Sequence, residues 1–584
     1  MSPLAPSDSG PLPIFDAPSG RMPLPRLQAL ALTAGLALAL AAGSAQAQSE
    51  GLLTIEGETE RFLLRMHAAG HLPWLDVGAL PHAASVAQAA LDSLTSAPLS
   101  PVDRALVQTY RGERVGGVFG AWAGRQRWAF PDGQALLGAS GDGYGLTAEP
   151  ALLLAAGPAL VYRPAGDERG VAVLYQLSRG LRAAGHAGRL FAEATITENQ
   201  VVAPLGTREF RNAPRLGYTV TTGSPDPVYD YLVSRGVVGY RDRFLEVRAG
   251  RDRNRWGFAR GALLLSNYAS EYDHAQVRLT AGPVSVQSLY ARFLDPRPAG
   301  VGDASGVVSK RYGAFHRAAV RLGSVELEAF ESVILGDREG DNRDGFELSY
   351  LVPFVLFRAA ERDLGSPDNV LLGAGAAWRP TPGLRLYGQG LLDELTADRF
   401  FEDFWTNKWA YVLGLEAADP GLPGLGRLRD TDLRVELARL RPFLYSHRSA
   451  ATAAIHYDDG LGHPAGPNAV DLSVTVAHRP TPDLEVSLDG WATVRGRNPD
   501  SLNVGADPRL PFTTRASDTA ATLQGVRQRE VGADLRASVR LVPGLYGVVA
   551  VRGFLRDDAL DGTDAVVGVQ GVLRWALAPP SRRY

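Results

Sequence analysis

Cysteine is absent from the 584 residues, which excludes disulfide frameworks, thiolate metal sites and cysteine nucleophiles together. The fold must hold by strand pairing and packing. Lysine is nearly absent as well: of 60 Lys+Arg, only Lys310 and Lys408 are lysines. A GC-rich genome favouring arginine codons accounts for this; the functional alternative is that arginine forks bind carboxylates and sugar acids bidentately. A net charge of -3 leaves no basic footprint for nucleic acid. Enzyme signatures are missing too, with no HExxH, no GxSxG, and no phosphate loop, since neither lysine follows a glycine. We therefore expect no catalytic residues, no metal site and no cofactor; a surface hydrolase using an outer-loop histidine has no motif behind it.

Long apolar runs are also scarce. A mean hydropathy of -0.08 disfavours a helical inner-membrane protein, which needs several spans of about 20 apolar residues each. One segment approaches that length. Arg26 is followed by the Leu/Ala-rich stretch Leu27 to Ala42 and then by Ala45-Gln46-Ala47. A positive flank, an apolar stretch and a small-x-small site read as a signal peptide cut after Ala47, with a membrane anchor as the alternative. Met22 lies just before the charged flank, and we expect it to be the true start.

Residues 48–114 read as a small helical region. Phe62, Leu63, Met66 and Ala69 recur at helical spacing over Glu58 to Ala69, and Gly70 suits the C-terminal end. A second helix is expected from Ala84 to Leu94. The third opens on Ser100-Pro101-Val102-Asp103, a cap, a proline in the first turn and an acid, and continues to about Arg111. A flexible exported arm is the alternative.

From about Val115 the period changes to two. In Glu530 to Arg540 the odd positions are Val531, Ala533, Leu535, Ala537 and Val539, and the even ones are polar or glycine. Leu484 to Arg495 alternates likewise. Such strands of about 9 to 11 residues suit a tilted membrane crossing, whereas globular strands average about 5 to 6. After Asn369 the strands 370–378, 384–393, 408–417, 432–441, 470–478, 484–495, 529–541, 544–555 and 566–577 are joined by connections that alternate shorter and longer, with 418–431 the one ambiguous member. Outer-membrane barrels alternate periplasmic turns and outer loops in this way. Further strands are expected at 170–179, 187–196, 243–250, 275–281, 284–293, 313–322 and 324–333, with others near 116–156 and at 259–265. The expected fold is an all-β transmembrane barrel of about 18 antiparallel strands (115–584) with a small N-terminal periplasmic helical bundle. Both termini would then lie in the periplasm.

Several segments resemble the Wzi-type capsule assembly outer-membrane family. Arg251-Asp252-Arg253-Asn254-Arg255-Trp256-Gly257, followed by Leu263-Leu264-Leu265-Ser266-Asn267, is similar to that family's "GRxxxRWG…LLLS" signature. Leu351-Val352-Pro353, Glu361, Asp368-Asn369, Tyr387-Gly388-Gln389 and Asp393-Glu394 resemble its next run. Asn407-Lys408, Val435-Glu436 with Pro442 and Tyr445-Ser446, and Gly462-His463-Pro464 with Gly466-Pro467-Asn468 continue the order.

The resemblance implies an 18-stranded barrel, narrow or plugged, that binds capsular or exopolysaccharide at the cell surface without catalysis. Outer-membrane lipid, the polysaccharide and the export machinery would be its partners. The candidate glycan-binding residues are Arg251, Asn254, Trp256, Gln389, Asp393, Glu394, Trp405, Tyr445 and His463. Each also has a structural reading: a bulge at Trp256-Gly257, an ion pair of Asp393 and Glu394 with Lys408, a fixed turn at His463-Pro464. Aromatics concentrate in loops 394–407 (Phe400, Phe401, Phe404, Trp405) and 442–469 (Phe443, Tyr445, His447, His456, Tyr457). Two departures stand out. Pro579-Pro580 separates the terminal Tyr584 from the last strand, and loop 496–528 has no counterpart in the family pattern. The charged lumen face of the last strands keeps a porin-like channel for small solutes as the alternative function.

Overall fold

In the computed structural model the described residues are 51–114, 117–119, 137–163, 168–202, 219–221, 228–294, 310–335, 350, 368–422, 424, 426–457 and 459–576. The leader 1–47, Leu351-Val352-Pro353, Glu361, Pro579-Pro580 and Tyr584 lie outside them.

Among the described residues eighteen antiparallel strands close into one barrel. The first nine are β1 (Leu153–Arg163), β2 (Glu168–Ala187), β3 (Leu190–Val202), β4 (Val228–Arg241), β5 (Leu245–Asp252), β6 (Tyr272–Ala281), β7 (Val284–Leu294), β8 (Lys310–Leu322) and β9 (Val325–Leu335). The others are β10 (Asn369–Thr381), β11 (Leu384–Glu394), β12 (Lys408–Ala418), β13 (Thr431–Leu440), β14 (Ala469–Thr481), β15 (Leu484–Arg497), β16 (Val526–Val542), β17 (Leu545–Asp558) and β18 (Gly562–Ala576). β18 pairs with β1, from Ala576 opposite Leu153 to Val567 opposite Tyr162, which completes the ring. Closure leaves the ring without a free edge, the condition lipid imposes on a spanning sheet.

The expected period-two pattern becomes inside and outside. Leu488, Val531, Leu535, Val549, Leu555 and Leu573 stand exposed on the outer wall. Their neighbours Glu530, Asp534, Arg552 and Arg556 face the lumen and pair across strands: Asp534 with Arg552, and Glu530 with Arg556 at 3.5 Å. The two Arg-Pro turns show why the hairpins end there. Pairing of β10 with β11 slips between Trp378 and Thr381, and that of β14 with β15 between His478 and Thr481. Pro380 and Pro480 bring no N–H to the ladder, so the register breaks at each.

Among the described residues three helices precede the barrel: α1 (Glu58–Ala68), α2 (Ala84–Leu94) and α3 (Pro101–Tyr110). Ser100 accepts a hydrogen bond from the Asp103 amide at 2.9 Å and so caps α3. They dock at the end of the barrel where the connections are short. The Gly383 amide donates to the Ala68 carbonyl, Arg114 pairs with Asp483 at 2.5 Å, and Arg65 reaches Asp103, Asp419 and Asp432 at 2.6–3.0 Å.

One expected strand is absent and one observed strand was not expected. Residues 259–265 form no strand. Ala259, Ala262, Leu263, Leu264 and Leu265 are all buried, because the whole segment 253–271 leaves β5 and turns into the lumen, where a continuous apolar run is buried on every side. Conversely, β4 escapes a period-two reading because Leu232-Val233 and Val237-Val238 are apolar doublets. Leu232 and Val238 face outward, whereas Val237 packs inward on Leu52, Ala83 and Phe191. A lumen filled with protein makes its wall apolar on both faces.

Candidate functional site

The site is assembled by three stretches that enter the lumen: 71–83 from the helical end, 253–271 from the wall, and 441–468 from the long-loop end. Ala79–Leu80 pairs antiparallel with Arg255–Trp256, so the first two form a miniature sheet inside the barrel. One apolar cluster runs from Phe62, Leu63 and Leu91 through Trp256, Leu263 and Leu265 to Leu444, Tyr445 and Leu461, and packs on the inner face of β7 to β13.

Most of the candidate residues hold this filling together. Gln389 of β11 accepts a hydrogen bond from the Leu263 amide at 2.9 Å, and its amide nitrogen lies 3.5 Å from the Trp256 carbonyl. Trp256 meets Phe315 edge to face, with ring centroids 6.4 Å apart. Gly257 stands at φ 127°, and a Cβ there would lie 2.3 Å from the Gln389 amide nitrogen. The RWG triplet is thus spaced by the approach of Gln389. Tyr445 donates to the Leu263 carbonyl at 2.8 Å and accepts from the His463 amide at 3.2 Å. Asp393 accepts from the Tyr445 amide at 2.8 Å. Lys408, fully buried, pairs with Glu394 at 2.7 Å and donates to the Ser446 carbonyl at 3.1 Å. Asn254, also fully buried, bonds to Arg248 and Tyr272.

Trp256, Gln389, Asp393, Glu394, Tyr445 and His463 therefore belong to one network, with Asn254 beside it. Arg251 stands apart. Its register partners are Gly236 and Asp273, and it pairs with Asp273 at 3.6 Å on the outer wall.

Charge fixes the filling to the wall. Burial alone would raise the Asp76 carboxyl, but Arg317, Arg278 and Arg321 surround it and hold it well below the usual carboxylate range. Arg317 reaches it at 3.1 Å and Arg278 at 2.7 Å. Burial likewise raises Glu56, and Arg260 at 2.8 Å overrides it, bringing the carboxyl to about 2. His456 is brought down to about 3, by burial first and then by cations that include Arg311. That histidine is neutral at physiological pH. Arg311 of β8 donates to the carbonyls of Ala450, Ala451, Ala453 and Ile455, clamping the inward loop.

Trp405 lies elsewhere, at the long-loop end. Its ring lies tilted by 36° against that of Phe512, with centroids 4.8 Å apart. Arg515 lies 4.2 Å above the Trp405 ring, and the Lys408 ammonium 4.3 Å from that of Phe512. The Trp405 amide donates to the Asp518 carbonyl at 3.0 Å, and the Phe512 amide to that of His447 at 3.1 Å. Loop 498–525 is thereby tied over loops 395–407 and 441–448. Beside this cluster Phe400 and Phe401 form an edge-to-face pair, and Phe401 is 98% exposed. Phe512 and Arg515 were not among the sequence candidates, since Phe512 is the one aromatic of a loop without a family counterpart. Among the described residues no group of three or more His, Asp or Glu is placed to hold a metal ion.

A closed barrel of eighteen strands with an apolar exterior defines an outer-membrane β-barrel. The chain is similar in fold to Wzi of Escherichia coli, an outer membrane protein involved in group 1 capsule assembly and described as a carbohydrate binding β-barrel. The match has a TM-score of 0.51 and 13% identity over 90% of this chain and 100% of that one. OccD3 (OpdP) of Pseudomonas aeruginosa matches 74% of this chain and 92% of its own, at 13% identity and a TM-score of 0.38. No protein-family model matches the sequence. No curated protein matches it either.

Proposed function

We propose that this barrel holds a capsular or exopolysaccharide at the cell surface through its long-loop end, and does so as a binding protein without catalysis. One observation carries the reading: the chain packs its own segments against the inner face of β7 to β13 and gathers aromatic rings and cations at the long-loop end. Sugar rings stack on aromatic faces, and their hydroxyls take hydrogen bonds from guanidinium and amide groups. The tilted Trp405–Phe512 pair, Arg515 and the exposed Phe400–Phe401 pair supply those groups at the long-loop end. Of the candidate residues, Trp405 is the one we place against glycan; Trp256, Gln389, Tyr445 and His463 position the loops behind it. The likeness to a carbohydrate binding barrel agrees with this reading. In this account the short-turn end, with the helices, faces the periplasm, and residues 1–47 are an export signal.

The test is genetic. Deleting the gene should release polysaccharide from the cell surface into the medium, and the wild-type chain, but not Trp405→Ala, should restore retention. Unchanged retention in the deletion strain would refute the proposal. The channel reading makes the opposite demand, that the purified barrel conduct small solutes across a bilayer.

A further inference from the structure

We infer that the outer wall at the long-loop end of β16 binds the phosphate headgroup of an anionic lipid, held by Arg527 and Arg529. Glu530 and Asp534 mark the inward face of this strand, since both pair with arginines of β17 inside the lumen. The alternate positions face the membrane. Counted from the short-turn end they are Leu541, Val539, Ala537, Leu535, Ala533 and Val531, an unbroken apolar stripe in which Leu535 and Val531 are well exposed. At about 3.4 Å per residue and a tilt of about 40°, the stripe is about 26 Å deep. The apolar band of such barrels is about 25 Å tall. Arg529 and Arg527 are the next two outward positions, and both are exposed. They stand where the hydrocarbon ends.

Neighbouring walls repeat this order strand by strand. On β13 Arg439 stands above Leu437, Val435 and Leu433, and on β12 the stacked rings of Trp409 and Tyr411 stand above Leu413 and Leu415. Aromatic girdles of this kind mark the border between hydrocarbon and headgroups. What distinguishes Arg527 and Arg529 is that, among the described residues, neither has a carboxylate at ion-pair distance. The acids at the adjoining end of β17 are engaged elsewhere. Arg497 pairs with Asp558, and with Asp561 at 2.6 Å. Asp557, opposite Arg529, accepts from the Thr563 hydroxyl at 3.4 Å. The outward Arg251 and Arg292, by contrast, share Asp273.

Two guanidinium forks about 7 Å apart along one strand can close on a single phosphate from both sides. Basic side chains at a membrane surface draw anionic lipid. Below them Val531 and Leu535 take the acyl chains, which a free phosphate does not have. A zwitterionic headgroup brings its own cation against the arginines and is disfavoured.

Native mass spectrometry of the intact purified barrel, with added dioctanoyl phosphatidic acid, tests the assignment. The wild-type chain should hold this lipid at least tenfold more strongly than dioctanoyl phosphatidylcholine or inorganic phosphate. Arg527→Ser combined with Arg529→Ser should lower its retention at least fivefold. Arg179→Ser, which removes an exposed arginine already paired with Glu198, should leave it unchanged. All variants should keep the wild-type heat-modifiable mobility, which reports an intact barrel. Equal retention of the two lipids, inorganic phosphate bound as tightly as phosphatidic acid, undiminished retention in the double serine variant, or an equal loss from Arg179→Ser would each overturn the inference.

Discussion

The side chains at the long-loop end and inside the lumen do different work, and substitutions separate them. Trp405 is half-buried between Phe512 and Arg515 at the long-loop end. Trp405→Ala should weaken polysaccharide binding at least tenfold, measured by calorimetry, while the barrel unfolds at an unchanged guanidinium midpoint. Gly257 shows the converse. A Cβ there would press on Gln389, and φ is positive; Gly257→Ala should therefore destabilise the folded barrel by roughly 1–3 kcal/mol, read as a lower midpoint. The distinction was only partly legible in the sequence. The motifs around Trp256, Gln389, Tyr445 and His463 marked residues that meet in space, since six of the nine candidates share one network. Whether such residues face a ligand or each other depends on which segments turn into the lumen, and linear spacing carries no information on that.

At the scale of elements, the strands were the most legible part. Period-two alternation and alternating connections follow from each strand having lipid on one face, and β10 to β18 fall within a few residues of the expected positions. The pattern failed where lipid was not the only apolar surroundings, at β4 and in 253–271. The inward loop 441–468 carries a pH dependence. Because burial brings His456 to about 3, the unfolded loop binds a proton at higher pH than the folded one, near 6.5. Its stabilisation is complete above about pH 6.5 and declines as pH falls toward 3. Hydrogen-exchange protection over residues 441–468, taken against the intrinsic rate at each pH, should thus fall between pH 7 and pH 4.5, and His456→Phe should flatten that change. Asp76 has the same direction through a different group. Its depressed carboxyl contributes stability that is full above about pH 4 and lost only in stronger acid. Asp76→Ala leaves Arg317 buried without that partner and should loosen segment 71–83, seen as faster proteolysis between α1 and α2.

For the whole molecule, a binding surface and a conduit make different demands on the lumen. The wall of β7 to β13 is packed by an apolar core that joins the helices to the inward loop, and the charges of β16 and β17 are paired with each other. A barrel built this way presents its ends. The most direct measurement is titration of the purified, refolded barrel with the polysaccharide isolated from the same cells, together with planar-bilayer recording of the same preparation. The account predicts saturable binding that Trp405→Ala weakens at least tenfold, with the bilayer remaining sealed. A conducting barrel that binds no polysaccharide would contradict it.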